Sequence, residues 1–219
     1  MNLTEEIKKS ETKYLVELET FFLEKWGETK LWSHDLSHHR RVWKYAKELL
    51  QNVAPDEINR DHLFVEKLLI ACYLHDIGMA VDTGDRHGQH SRRLCEQFLN
   101  ENSRDMSDYQ DILEAIDNHD NKEYSDSPVN NKLLILLSAA DDLDAFGYTG
   151  IYRYIEIYLA RGIHPGKLGQ MARENAEKRF NNFSLNFTRY PELVRKHKAR
   201  YLLLDEFFKG FCIEPDNNK

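Results

Sequence analysis

The stretch DHLFVEKLLIACYLHDIG, residues 61 to 78, constrains the fold more than any other. Leu68, Leu69, Ile70, Ala71, Cys72, Tyr73 and Leu74 are apolar almost without a break, so a helix built from them has no solvent face and runs through a core. Asp61 is placed to cap its start and Gly78 to stop it. Yet the run closes on His75 and Asp76. Cys72 lies one turn before His75, and Leu68 one turn earlier still, so at least one of the pair points inward. A buried imidazole or carboxylate without a partner is costly. A hydrogen bond between the two at the helix end would satisfy them, and so would a metal ion.

The rest of the chain is helical in period as well. Leu15, Leu18 and Phe22 recur at helical spacing in the first segment. HRRVWKYAKELL puts Val42, Ala46, Leu49 and Leu50 on one side and Arg40, Lys44 and Lys47 on the other. HSRRLCEQFLNEN and YQDILEAIDNH read as shorter amphipathic helices, and NNKLLILLSAADDLDAF as a buried one. YRYIEIYLARG follows the break GYTG, and the last third holds QMARENAEKRFNNF and PELVRKHKARYLLLDEFFKGF. Alternating strands and hairpin signals are missing. DTGDRHG, KEYSDSPVNN, RGIHPGKLG and the tail EPDNNK read as loops. The expectation is an all-α fold: one domain over residues 1–219, with a motif-bearing core at about 31–153 and a helical extension at about 160–212.

Composition narrows the class. With 30 Lys+Arg against 37 Asp+Glu, the formal net charge of -7 argues against a broad grip on nucleic acid, but leaves a phosphorylated small molecule open if a metal supplies positive charge. Three cysteines, Cys72, Cys95 and Cys212, form neither a disulfide framework nor a thiolate zinc site. The opening MNLTEEIKKSETKY has no apolar leader, and KLLILLSAADD is too short to span a bilayer. These features predict a cytoplasmic protein that does not engage membranes.

Two other His-Asp pairs have simpler accounts. Around His34-Asp35, either Asp35 or Ser37 can cap the next helix. His119-Asp120 lies where a helix runs into a polar loop, although Ile112, Leu113 and Ile116 put His119 within a turn of an apolar stripe. His38 precedes Val42 by four residues and Ala46 by eight, so it shares their inward face. Asp141 and Asp144 continue the face of Leu133, Leu137 and Ala140. Three helices thus deliver inward groups that suit a divalent first-row ion such as Mn, Fe, Co, Ni or Zn.

HHRRVW (38–43), ACYLHDIG (71–78) and AADDLDAFGYTGIYR (139–153) resemble the HFRRVW, ACYFHDI and DADRLDALGAIGLAR-type segments of an uncharacterised bacterial subgroup of the HD superfamily of metal-dependent phosphohydrolases. The resemblance implies a helical HD bundle in which His38, His75, Asp76 and Asp141 hold a divalent ion (Mn, Fe, Co, Ni, Zn or Mg). Arg41 and Asp144 are then partners of those ligands. It implies hydrolysis of a phosphate ester of a small, nucleotide-like or other metabolite by a metal-activated water, as a phosphomonoesterase or phosphodiesterase. His90 and His119 fall where two-metal members add histidines, and are candidates for a second metal, a phosphate contact or leaving-group protonation. His87 lies in the same interval but reads more readily as a surface or capping residue, and His62, His164 and His197 read as surface residues. Asp142 stands where the subgroup often has Arg, which removes a positive charge near the substrate. The same ligand pattern serves di-iron oxygenases, and a metal- or nucleotide-binding sensor without turnover also fits. A homodimer is compatible with the reading. Tyr152, Tyr154, Tyr158, Phe207 and Phe208 are available for core packing, a lid or such a contact.

Overall fold

A computed structural model of the chain describes residues 2–53, 61–120 and 131–213. Among them every regular element is helical. The α-helices are α1 (Leu3–Trp26), α2 (Leu36–Asn52), α3 (Phe64–Leu74), α4 (His87–Glu101), α5 (Gln110–Asn118), α6 (Lys132–Asp144), α7 (Gly147–Ala160), α8 (Pro165–Asn186) and α9 (Pro191–Ile213). Short 3-10 turns cover Trp32–His34, Ile77–Ala80 and Met106–Tyr109. The expected loop KEYSDSPVNN, apart from its last residue, and the tail EPDNNK lie outside the described residues.

Local chemistry sets the ends. Asn2 and Glu5 form a capping box on α1. Asp35 caps α2 by accepting from the Ser37 N–H, as its position suggests. Asn131 accepts from the N–H groups of Leu133 and Leu134 at the start of α6. Asp61 caps the turn ahead of α3, accepting from Leu63 N–H, and α3 itself begins at Phe64.

α3 is the central rod: all its residues from Phe64 to Leu74 are buried. α1, α2, α5 and α6 pack around it, and α4 lies against α5 and the Ile77–Ala80 turn. The C-terminal helices continue this body: α8 packs on α6, and α9 on both α7 and α8. Of the aromatic residues flagged there, Tyr154, Tyr158 and Phe208 are buried, while Tyr152 and Phe207 are exposed. Among the described residues, no helix is long and apolar enough to cross a membrane.

Three boundaries differ from the sequence expectation. α4 starts at His87 rather than His90. α7 takes in GYTG, because Gly150 lets the first turn close onto the Ala145 carbonyl, where a Cβ would sit only 2.0 Å away. α8 starts at Pro165, which is pre-set for the first helical turn, so PGKLG is helix rather than loop. His197, expected at the surface, is instead fully buried on α9. Its Nε2–H donates to Glu48 over 3.0 Å. Its neighbour Arg200 donates to the carbonyls of Leu143 and Phe146 and so ties α9 to the end of α6.

Burial pulls the His197 imidazole down to about 4, against the opposing pull of Glu48. The unfolded chain therefore takes up this proton first. The stability involved is complete above the ordinary value of 6.5 and is lost as pH falls toward 4. Thermal melts across that window should show a shallower loss of Tm for His197→Gln than for the wild-type chain. Parallel curves would contradict this.

Candidate metal centre

The helix α3 ends at Leu74, and His75 and Asp76 continue from it into the 3-10 turn. Gly78 is therefore not the stop. Its role is to let α4 approach: a Cβ there would lie 2.2 Å from the His87 carbonyl oxygen and 2.5 Å from the Ser91 nitrogen. Ser91 Oγ also accepts from the Gly78 N–H at 2.8 Å. That contact puts the first turn of α4, and with it His87, beside Asp76. Gly78→Ala should push α4 away at a cost of about 1–3 kcal/mol. It should lower Tm and weaken metal binding at the His87 side. A variant with unchanged Tm and metal affinity would refute this role.

Four imidazoles converge here, and one device fixes three of them. His75 Nδ1 bonds to the carbonyl of Cys72 (3.1 Å), His87 Nδ1 to that of Gly84 (2.7 Å) and His119 Nδ1 to that of Ile116 (2.7 Å). Each partner lies three residues earlier and can only accept, so the proton is on Nδ1. His38 reaches the same state through Asp144, whose Oδ2 lies 2.8 Å from its Nδ1. All four rings therefore present Nε2 to the interior.

What those Nε2 atoms face is Asp76. Its Oδ2 lies 3.5 Å from both His38 Nε2 and His75 Nε2. Its Oδ1 lies 3.0 Å from His119 Nε2 and 3.4 Å from His87 Nε2. Asp141 Oδ1 closes the first group, 3.7 Å from His38 Nε2 and 3.9 Å from His75 Nε2. Two donor sets result, His38–His75–Asp76–Asp141 and Asp76–His87–His119, each with its donor atoms within 4.8 Å of one another. All these residues are buried.

The chemistry of the sets fits a divalent cation. His38 Nε2 and His75 Nε2 stand 3.3 Å apart. In rings that carry a proton on Nδ1 only, as a metal ligand must, these Nε2 lone pairs would face each other and two carboxylates, and no hydrogen bond can form among acceptors alone. A cation would resolve the arrangement. Burial pushes the Asp76 carboxyl up, but the imidazoles of His75, His119 and His38 hold it well below the usual carboxylate range. Burial likewise opposes ionisation of Asp141, and Arg153 and Arg179 outweigh it. Burial alone would lower His119, yet Asp76 raises it to about 9. His75, where burial dominates, is lowered.

Behind His38, Arg41 donates from Nε to Asp144 Oδ1 (2.7 Å) and from Nη2 to Oδ2 (3.0 Å). His90 is corrected. Because α4 begins three residues earlier, His87 occupies the place beside His119, and His90 sits a turn further on, half-buried and outside the cavity. His34 also belongs to the site: its Nε2 accepts from Arg153 at 3.1 Å, and burial and that guanidinium keep the ring neutral.

A cavity of about 200 Å³ opens onto the second donor set. Arg153 of α7 crosses its wall, donating to Asp141 Oδ1 at 3.0 Å. Arg179 of α8 donates to Asp141 Oδ2 (2.9 Å) and Asp142 Oδ1 (2.6 Å). The charge expected to be missing at position 142 is thus returned from α8: Asp142 anchors an arginine instead of being one. Arg153 closes the motif AADDLDAFGYTGIYR but was given no role there, and Arg179 lies outside it, although the reversed charge at Asp142 was the signal that could have pointed to Arg179.

The fold is shared with solved structures. A protein from Lactobacillus plantarum superposes with a TM-score of 0.60 at 22% identity, covering 90% of this chain and 94% of that one. A protein described as a predicted HD superfamily hydrolase, from an uncultured Thermotogales bacterium, superposes with a TM-score of 0.50 at 25% identity, covering 86% and 96%. Over 145 residues, 66% of the chain, the sequence is 27% identical to a cyclomaltodextrin glucanotransferase of Bacillus licheniformis. The matched part is only 20% of that much longer protein. The HD domain family model matches residues 35–145, a span that includes both donor sets. The chain belongs to the HD domain family.

Proposed function

We propose that this chain is a divalent-metal-dependent phosphohydrolase that cleaves a phosphate ester of a small, nucleotide-like or otherwise phosphorylated metabolite. One observation carries the reading: four imidazoles, each fixed through Nδ1, turn their Nε2 atoms onto the two oxygens of Asp76. Asp76 is the shared member of both donor sets, His38, His75 and Asp141 complete one, and His87 and His119 the other. A divalent ion bound there would acidify water and offset charge developing on a phosphoryl oxygen. Asp144 and the three carbonyls keep the rings in register, as partners behind metal-binding histidines do. The buried walls restrict bulk water, and the guanidiniums of Arg153 and Arg179 favour an anionic ligand over a neutral one.

The test is release of inorganic phosphate from a panel of phosphate mono- and diesters, run with Mn2+, Mg2+, Zn2+ or a chelator. The reading expects turnover on at least one ester class that stops on chelation. Oxygen consumption by an iron-loaded chain, with no ester cleaved, would replace it with the oxygenase. A metal-loaded chain with neither activity would favour the sensor.

A further inference from the structure

Beyond the donor sets, one wall of the cavity is built from α7 and α8, and these helices lie outside residues 35–145, the span of the family match. Asn175 is its key. Its Oδ1 accepts from the Tyr154 hydroxyl (2.9 Å) and from Arg179 Nε (2.9 Å). A guanidinium Nε can only donate, so the amide orientation is fixed and both Nδ2 hydrogens are left without an acceptor among the described residues. Arg153 repeats the pattern. Its Nη atoms are committed to Asp141, Asp144 and His34, while its Nε is buried and lacks a partner among the described residues. Asn175 is half-buried and its Nδ2 is accessible from the cavity, whereas a buried donor such as Arg153 Nε is rarely left unmet, because desolvation is repaid only by an acceptor. Arg179 Nη1 is taken by Asp141 and Asp142, and its Nη2 only approaches Asp120, at 3.6 Å. Asn175, Arg153 and Arg179 all line the same cavity, as do Asp76, His87 and His119.

We propose that Asn175, Arg179 and Arg153 form a binding wall for a tetrahedral oxyanion, and so select a phosphoryl group in the cavity that Asp76 also lines. The ligand class is a phosphate monoester or its product, inorganic phosphate. Arg153 Nε and Arg179 Nη2 offer its oxygens a charged donor each, and Asn175 adds a neutral one. Asp142 acts as a positioning residue: it holds the Arg179 fork toward the cavity. The packing of α8 against α6 brings Arg179 to the end of the helix that carries Asp141. The wall rests on the phosphohydrolase reading for the identity of the anion, but not for its own existence.

The experiment is calorimetric titration of the full chain with inorganic phosphate, with and without saturating Mn2+. Asn175→Asp keeps the shape and the acceptor for Arg179 and Tyr154 but turns the free donor into an anion. It should weaken phosphate binding by about tenfold or more while leaving Mn2+ affinity within about twofold. Arg179→Lys, which keeps the charge but cannot hold Asp141, Asp142 and Asn175 while still presenting a donor at the Nη2 position, should weaken it by about fivefold or more. Thermal melts confirm that each variant is folded. Phosphate affinity unchanged in both variants, or no phosphate binding by the wild-type chain in either state, overturns the wall. A wild-type chain that binds no Mn2+ overturns the metal reading instead. The metal-free titration then still decides the wall, by the same two substitutions.

Discussion

Asp76→Asn is expected to reduce turnover by about 10³-fold or more and to remove tight metal binding, while the chain stays folded. The scale follows from the several kcal/mol that a bound ion contributes to charge stabilisation, at about tenfold per 1.4 kcal/mol. Asp76 is singled out because each of its oxygens serves a different pair of imidazoles, so one substitution removes an anionic ligand from both donor sets. The fold should survive, because the partners of Asp76 are rings that can shed a proton. His119, held at about 9 by Asp76, simply becomes neutral near pH 7 when that carboxylate is gone. Metal affinity, turnover and Tm read these effects separately. An Asp76→Asn variant that still turns over at the wild-type rate would remove Asp76 from the mechanism.

Asp144→Asn should do the opposite: the chief loss is stability. Asp144 is fully buried and accepts from His38, Arg41 and Arg153. Its carboxyl is held far below the usual range, burial being outweighed by His38 and the two guanidiniums. Guanidiniums do not shed their charge, so an amide in its place leaves Arg153 buried among fewer anions. Breaking such a pair costs about 3–5 kcal/mol. At roughly 2–4 °C per kcal/mol for a chain of this size, Tm should fall by roughly 6–20 °C. Metal affinity should fall about 10–100-fold, because His38 loses the anionic partner behind its Nδ1 and must compete with Arg41 and Arg153 for the one oxygen that an amide retains. Thermal melts of metal-free protein settle the point. A shift of only a degree or two would mean that Asp144 does not hold the network.

Much of this centre could be read from the chain, and the reasons are local. An uninterrupted apolar run ending on His75-Asp76 forces titratable groups into a core, and the inward faces of α2 and α6 carry His38, Asp141 and Asp144 at helical spacing. His87 could not be found that way. Its place depends on where α4 begins and on the close approach of that helix to Gly78, and neither is encoded by apolar spacing. His197 was misjudged because its segment is rich in basic residues, which hides a buried position paired with Glu48 on a different helix. Arg179 and Asn175 reach the cavity from α8, across a separation that no local periodicity encodes.

The central claim is that the converging imidazoles and carboxylates exist to hold divalent metal. The most direct test is elemental analysis of the wild-type chain after equilibrium dialysis against Mn2+. The account predicts two ions per chain at saturation, one for each donor set that shares Asp76. A chain that retains no metal under those conditions would contradict it, and the four Nε2 atoms around Asp76 would then have to be explained as a purely structural network.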